Sequence, residues 1–171
     1  MNYFQIICIP HPTTTVKSIK IWYGLPKNHD IKSILGLKIK YINYITGETK
    51  DTEYQGAILE ELDYETKELE IEEGDYLSKM NIGFCDHYIT HIKFITKNGN
   101  YIENGDIKND TTKIKGALKE LNDENNVILN ISFLINPLGL RAIGANYMNF
   151  KDFYDACGFS ADKPNIFNNK E

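Results

Sequence analysis

The sequence predicts an all-β protein built from many short antiparallel strands. Three observations support this fold class: apolar and polar residues alternate along most of the chain, turn-forming residues separate the alternating segments, and helical periodicity is scarce. The chain has 171 residues, of which 42% are hydrophobic and 25% charged. This length and composition are those of one ordinary globular domain with a single core.

Alternating segments mark the strands of the first half of the chain. The segments 19–23, 37–41 and 68–72 place apolar residues at every second position, as a strand with one buried face requires. In the third segment Leu69 and Ile71 alternate with glutamates, so we expect the apolar side chains to face the core and the acidic ones to face solvent. Turn-forming residues separate the strands at 47–48, 74–75, 97–100 and 104–106.

A weak internal repeat refines this prediction. Three segments share one pattern, in which an apolar residue is followed by two intervening positions, an isoleucine and then an inward-facing residue: 16–23, 89–96 and 140–147. The copies lie too far apart in the sequence for a solenoid. They fit one strand in each of three sheets, which predicts an all-β body with three-fold pseudo-symmetry.

Helix signals are confined to two places. The segment 113–126 has a helix-forming composition with a thin apolar stripe. Near the C-terminus, three aromatic residues share one helical face and are followed by a glycine suited to a C-cap: Phe150, Phe153, Tyr154 and Gly158. We therefore expect a short helix over about residues 151–157, followed by a polar tail.

Several segments, taken in order, resemble a known family. The segments that carry the resemblance are 16–24, 37–41, 73–77, 89–99 and 140–147. The chain resembles the jacalin-type, mannose-binding-lectin-like domain, which has the β-prism I fold. The resemblance implies three four-stranded Greek-key sheets about a pseudo-three-fold axis. It divides the chain into an N-terminal lead-in (1–15), a jacalin-like domain (16–150) and a C-terminal extension (151–171).

The resemblance also implies a sugar site, at which this sequence departs from the family. The family's Gly-x-x-x-Asp motif supplies a carboxylate to adjacent sugar hydroxyls, whereas here Pro137 and Arg141 occupy the glycine and aspartate positions. A guanidinium only donates hydrogen bonds, and proline lacks a backbone N–H, so the usual pocket is not expected. A rebuilt glycan pocket would draw on Phe84, Asp86, Leu138, Gly139 and Arg141.

Two further groups of side chains could carry a function. Cys85, His87 and His91 are metal-ligating residue types, but in a strand Cys85 and His91 would lie roughly 20 Å apart, so surface histidines beside a turn are the favoured interpretation. The acidic stretch 60–75 is either a docking strip for a basic partner or a solvated strand face that discourages aggregation, and we favour the second.

The aromatic residues of the C-terminal segment allow two interpretations. They either pack on their own domain or anchor the protein in the groove of a protein partner, since aromatic side chains dominate interface energies. The sequence does not decide between the two. The candidate partner-binding residues are Phe150, Phe153, Tyr154 and Phe159.

Composition and motifs argue against several classes of function. A net charge of −5 and a single arginine argue against nucleic-acid binding. The apolar run 4–9 is too short for a signal peptide or a membrane span, so we expect no membrane insertion. Three widely spaced cysteines are expected to be reduced, in a cytoplasmic or other intracellular compartment. The sequence lacks the common catalytic and cofactor motifs, so we expect neither an enzyme nor a cofactor or metal site.

Two hypotheses of function remain. In the first, the domain is a protein–protein interaction module or a structural subunit of a larger assembly, and its sugar site is degenerate. In the second, it is a carbohydrate-binding lectin whose pocket has been rebuilt in the loops at one end of the prism. The missing Gly-x-x-x-Asp motif places the first hypothesis narrowly ahead at the level of the sequence.

Overall fold

The computed structural model describes residues 4–6, 11–85, 87–105 and 126–158. Within these residues the chain forms eleven strands and one short helix, so the all-β class is confirmed. The strands are β1 (Phe4–Ile6), β2 (Thr14–Gly24), β3 (Ser33–Asn43), β4 (Thr49–Asp51), β5 (Gln55–Gly56), β6 (Tyr64–Glu70), β7 (Leu77–Cys85), β8 (Tyr88–Thr96), β9 (Tyr101–Asn104), β10 (Asn126–Asn136) and β11 (Gly139–Asn149). The helix is α1 (Phe150–Ala156).

The strands pair into three antiparallel sheets. Sheet I contains β1, β10 and β11, sheet II contains β4, β3, β2 and β6 with the short β5 beside β3, and sheet III contains β7, β8 and β9. All three sheets bury residues in one core, for example Ile131 from sheet I, Ile39 from sheet II and Ile92 from sheet III. The predicted β-prism arrangement is therefore confirmed. The count of four strands per sheet stays a prediction, because residues 106–125 lie outside the described part.

The internal repeat corresponds to one strand in each sheet, as predicted. The three segments lie in β2 of sheet II, β8 of sheet III and β11 of sheet I. Each of these strands contains a β-bulge at the same place in the repeat, because the pairing register shifts by one residue at Lys17, Thr90 and Arg141. A bulge directs its extra residue away from the regular alternation and bends the strand. This explains why two positions, rather than one, separate the first two apolar residues of each copy.

The alternation of the sequence identifies the buried faces correctly. Ile19 and Ile21 of β2 are fully buried. Leu69 and Ile71 are also buried, whereas the glutamates of β6 are exposed, as predicted for a solvated strand face.

Asp75 departs from the prediction for the acidic stretch. Its side chain is fully buried, where the sequence predicts a solvated position. The reason is a turn: Gly74 has a φ of 84°, and Asp75 Oδ1 accepts hydrogen bonds from the amides of Tyr76 (2.9 Å) and Asn98 (3.1 Å). Asp75 thus joins the start of β7 to the turn between β8 and β9.

Helix α1 begins and ends with the capping residues that the sequence supplies. The side chain of Asn149 accepts a hydrogen bond from the amide of Lys151 at 2.9 Å, and Gly158 follows the last turn with a φ of 67°. The predicted helix at 151–157 is confirmed, with its start and its end each one residue earlier. The other helix prediction, at 113–126, lies outside the described residues except for Asn126, which begins β10.

Helix α1 packs on its own domain through a second hydrophobic cluster. This C-terminal cluster consists of Tyr76, Val127, Leu129, Phe153 and Cys157. Phe153 is 0% exposed, and Phe150 stacks on Tyr76 with ring centroids 5.3 Å apart. The prediction of Phe153 as a partner anchor is therefore corrected, because the start of β10 offers it an apolar surface within the domain. Tyr154 is half-buried beside Phe150, and Phe159 lies outside the described residues.

The lead-in segment contributes to the prism. Strand β1 pairs with β10 with Phe4 opposite Ile135, and β2 begins at Thr14, two residues before the boundary taken from the sequence. Sheet I is thus built from both terminal parts of the chain.

Burial of Cys157 makes a testable prediction about thiol chemistry. Burial raises the pKa of the Cys157 thiol from 9.0 to about 11, so the thiol stays protonated at pH 8 in the folded protein. Because the thiolate is the nucleophile, we expect iodoacetamide to leave Cys157 unmodified at pH 8 in native protein and to modify it in urea. Peptide mass spectrometry measures this difference. Rapid labelling of Cys157 in native protein would contradict the packing of α1.

Candidate functional site

The candidate site lies at one end of the prism, where connections from all three sheets meet. The turn between β10 and β11 (137–138), the start of β8 at Tyr88 and the loop between β2 and β3 (25–32) belong to sheets I, III and II respectively. Side-chain and backbone contacts, described below, join these three connections. We call this end the sheet junction.

The turn between β10 and β11 is held in a defined shape by its flanking residues. Asn136 is buried, and its side-chain oxygen accepts a hydrogen bond from the amide of Leu138 at 2.9 Å. Gly139 has a φ of 142°, which favours glycine, and a Cβ at this position would lie 2.9 Å from the carbonyl oxygen of Ile34 in sheet II. A glycine-dependent turn is therefore present, but at residue 139 rather than at 137, where the sequence has proline.

The bulge of β11 places Arg141 at the sheet junction. Leu140, the preceding residue, is fully buried, whereas Arg141 is half-buried. Arg141 is the extra residue of the bulge, so it does not follow the regular alternation of inward and outward side chains. The guanidinium carbon of Arg141 lies 4.2 Å from the ring centroid of Tyr88, the first residue of β8. This distance is that of a cation–π contact between the guanidinium and the ring.

Tyr88 in turn contacts the third sheet through His29. The hydroxyl of Tyr88 lies 3.2 Å from His29 Nε2, and the two ring centroids are 4.9 Å apart in an edge-to-face arrangement. The backbone holds His29 in place, since its amide donates to the carbonyl of Pro26 at 3.1 Å and the intervening Asn28 has a φ of 61°. Arg141, Tyr88 and His29 thus form a row of side chains with one member from each sheet.

The structure places three of the five residues that the sequence predicts for a glycan pocket in and beside one turn. Leu138, Gly139 and Arg141 lie in and beside one turn of the sheet junction, and Phe84 lies near the end of β7, half-buried against the main core. Asp86 lies outside the described residues.

Sequence reasoning missed Tyr88, which contacts Arg141, and His29, which contacts Tyr88. Tyr88 and His29 are isolated residues in unremarkable segments, and no motif marks them. The only signal for Tyr88 is its place at the start of the second copy of the repeat, one residue before Ile89. That spacing places it close to the bulge at Thr90, the counterpart of the bulge at Arg141.

The residues considered for a metal do not assemble. Cys85 is buried, His87 is exposed, and His91 is buried with its Nε2 2.9 Å from Glu103 Oε2. Among the described residues, no group of three His, Cys, Asp or Glu side chains is placed to hold a metal ion.

A concave surface lies elsewhere on the domain, away from the sheet junction. A groove of about 550 Å³ runs between sheets I and II, beside Tyr41 of β3 and Asn130 of β10. Its rim carries exposed residues that include Glu48 and Lys50. The sheet junction and this groove are therefore separate candidate surfaces that mutagenesis can distinguish.

Comparisons with known proteins identify the fold. No protein-family model and no curated protein sequence matches the chain. Among solved structures, a mannose-binding jacalin-related lectin from Ananas comosus matches over 86% of this chain and 90% of its own, with 16% identity and a TM-score of 0.58. Calsepa lectin in complex with a biantennary N-glycan matches over 86% and 89%, with 17% identity and a TM-score of 0.59.

A third lectin structure matches the chain with similar identity and TM-score. The lectin MPA complexed with the T-antigen disaccharide matches over 78% of this chain and 91% of its own, with 17% identity and a TM-score of 0.58. The chain therefore has the β-prism fold of the jacalin-related lectins, and the resemblance found in the sequence is confirmed at the level of the fold. Separately, none of the helices in the described residues has the length and apolar character needed to cross a membrane.

Proposed function

We propose that this protein is a non-enzymatic carbohydrate-binding module whose ligand site is the sheet junction. The observation that carries the proposal is the row of Arg141, Tyr88 and His29, which unites one side chain from each sheet at one end of the prism. The similarity of the fold to lectins, three of which are described above with their sugars, supports the same assignment.

The chemistry of these side chains suits a sugar. An aromatic ring such as Tyr88 offers a flat apolar surface to the C–H groups of a pyranose, while the guanidinium and imidazole beside it supply hydrogen bonds to hydroxyl groups. Binding sites commonly combine a few fixed polar groups with apolar and aromatic walls, and the half-buried Leu138 provides further apolar surface at this end.

A protein–protein interaction module remains the second candidate. It is supported by the absence of the family's carboxylate at residue 141 and by the exposed acidic strand β6, in which Glu65, Glu68 and Glu70 face solvent. In that case a basic partner would bind along β6, and the protein would bind no glycan. The buried position of Phe153 removes that residue as an argument for this candidate. The intracellular location stays a prediction.

A glycan array decides between the two candidates. We expect the purified full chain to bind a restricted set of glycans, and Tyr88→Ala to weaken that binding by at least about tenfold, since it removes the central aromatic surface. Tyr88→Phe, which keeps the ring, should retain most of the binding. Lys50→Ala at the rim of the separate groove is the matched control and should bind as the parent does.

Two results would contradict the proposal. A folded protein that binds no glycan on the array would favour the interaction module. Binding that is lost in Lys50→Ala but kept in Tyr88→Ala would move the ligand site to the groove between sheets I and II.

A further inference from the structure

We propose that the protein forms a weak two-fold dimer through the outer face of sheet II. This face is the side of β2, β3 and β6 that points away from the core, and we call it the dimer face. The inference goes beyond the proposed function and does not depend on it, because the dimer face is a surface separate from the sheet junction.

The dimer face follows from the alternation of its strands. Ile19 and Ile21 of β2 and Leu37 and Ile39 of β3 are fully buried, so the residues between them lie on the opposite side of the sheet. The side chains on that side include Lys20 and Trp22 from β2, Lys38 and Lys40 from β3, and Tyr64, Thr66, Glu68 and Glu70 from β6.

Opposite charges occupy opposite sides of the dimer face. Lys38 and Lys40 stand on β3 and Glu68 and Glu70 on β6, with β2 between the two strands. The pairing register aligns Lys38 with Glu68 in one row across the sheet, and Lys40 with Glu70 in the next. Neither glutamate forms an ion pair within the described part of the chain, whereas Lys38 pairs with Asp51 of β4 at 3.3 Å. An ammonium has three N–H donors, so this pair leaves Lys38 able to bind a second carboxylate.

A two-fold axis that runs along β2 matches these charges. A half-turn about this axis places β6 of one copy over β3 of the other, so that Glu68 meets Lys38 and Glu70 meets Lys40. Each contact then occurs twice, as in an isologous interface. A basic partner of another kind would satisfy the glutamates of β6 alone, whereas a second copy satisfies β6 and β3 together. The charge pattern therefore favours a second copy of this chain as the occupant.

The centre of the dimer face is aromatic. Trp22 is half-buried on the central strand, and its ring contacts that of Tyr54 edge-to-face with centroids 4.7 Å apart. Tyr64, on the neighbouring strand, is 47% exposed. Protein interfaces commonly combine aromatic residues at the centre with a polar rim. The two-fold axis brings Trp22 of the two copies together at the centre of the interface.

The size of the dimer face predicts a weak association. Strand β6 has seven residues. With strands about 4.8 Å apart and a rise of about 3.3 Å per residue, the face covers roughly 400–500 Å² on each copy. This area is small for a specific interface. We therefore expect a dissociation constant on the order of tens of micromolar.

Sedimentation velocity of the full chain, from about 1 to about 200 µM, measures this association. We expect the sedimentation coefficient to rise from that of a monomer towards that of a dimer, and the dimer to weaken at high salt because its ion pairs are screened. Trp22 is the only tryptophan of the chain. Its fluorescence should therefore shift to shorter wavelength over the same range of concentration, which reports on this face specifically.

Charge exchange tests the arrangement of the two copies. Glu68→Lys and Lys38→Glu should each raise the dissociation constant at least about tenfold, since like charges then meet twice. An equimolar mixture of the two variants should restore dimers, because opposite charges meet again at both contacts. Glu48→Lys changes an exposed acid outside the dimer face and is the matched control, which should dimerise as the parent does. Circular dichroism establishes that each variant is folded.

Several outcomes would overturn the inference. A protein that is monomeric at about 200 µM, or a dimer that persists in both single variants, would exclude the dimer face as the interface. A mixture that stays monomeric would contradict the two-fold arrangement. A change in sedimentation without a change in Trp22 fluorescence would place the contact on another surface. Glycan binding is measured separately on the array, so either proposal can fail while the other stands.

Discussion

Replacing Phe153 by alanine is expected to lower the stability of the protein by about 3–5 kcal/mol, the usual cost of truncating a fully buried phenylalanine. The side chain is 0% exposed and its ring meets that of Tyr44 edge-to-face, with centroids 5.7 Å apart. The truncation would leave a cavity between α1 and the start of β10. For a chain of this length the loss corresponds to a fall of roughly 10 °C in the melting temperature. Urea and thermal unfolding followed by circular dichroism measure it.

The matched control for this change is Lys151→Ala, an exposed position of the same helix. It removes a side chain without opening the C-terminal cluster, so stability should change by less than about 0.5 kcal/mol. The Phe153 variant should also make Cys157 reactive towards iodoacetamide in native buffer, since both residues belong to that cluster. If Phe153→Ala has the same melting temperature as the parent, α1 is not packed on the domain. Binding of the C-terminal segment to a protein partner would then be the favoured interpretation.

Replacing Asp75 by alanine is the second change with a large expected effect, about 2–4 kcal/mol of lost stability. Asp75 is buried, and its Oδ1 accepts from the amides of Tyr76 and Asn98, so truncation leaves two backbone donors without their acceptor. The same measurement of unfolding by urea gives the free energy. The effect should be larger than that of truncating any exposed acid of β6, such as Glu68.

Asp75→Asn separates hydrogen bonding from charge. Asparagine keeps one oxygen to accept from the two amides, so we expect a smaller loss of stability than in Asp75→Ala. The second oxygen, Oδ2, has no hydrogen-bond partner within the described part of the chain, so an amide nitrogen in its place displaces no existing bond. An Asp75→Ala variant as stable as Glu68→Ala would show that the turn does not depend on this carboxylate.

The fold could be predicted from the sequence because its signals are local and repeated. Alternation fixes which side chains face inward, and the shared spacing of the three repeats reflects a bulge at Lys17, Thr90 and Arg141. The two-residue alternation therefore predicts the strands. The interruption of that alternation at the same place in each repeat predicts the three-fold pseudo-symmetry. The burial of Asp75 was not predictable in this way, since it depends on an amide from a turn more than twenty residues later in the chain.

The candidate site was only partly predictable for the same reason. Arg141 and Gly139 stand beside a recognisable strand, so the sequence places them at the site. Tyr88 and His29 join them only through contacts between sheets, and such contacts leave no local pattern. Phe153 shows the opposite case, because its helical spacing is visible in the sequence but the surface that it covers is not.

The most direct test of the central claim, that the sheet junction binds a glycan, is a titration of the isotopically labelled protein with the glycan that binds best on the array, followed by NMR. The account predicts that the largest chemical-shift changes occur at Arg141, Tyr88 and His29, with little change at Lys50 and Thr52 in the groove between sheets I and II. Changes concentrated in that groove, or spectra that stay unchanged at millimolar ligand, would contradict it.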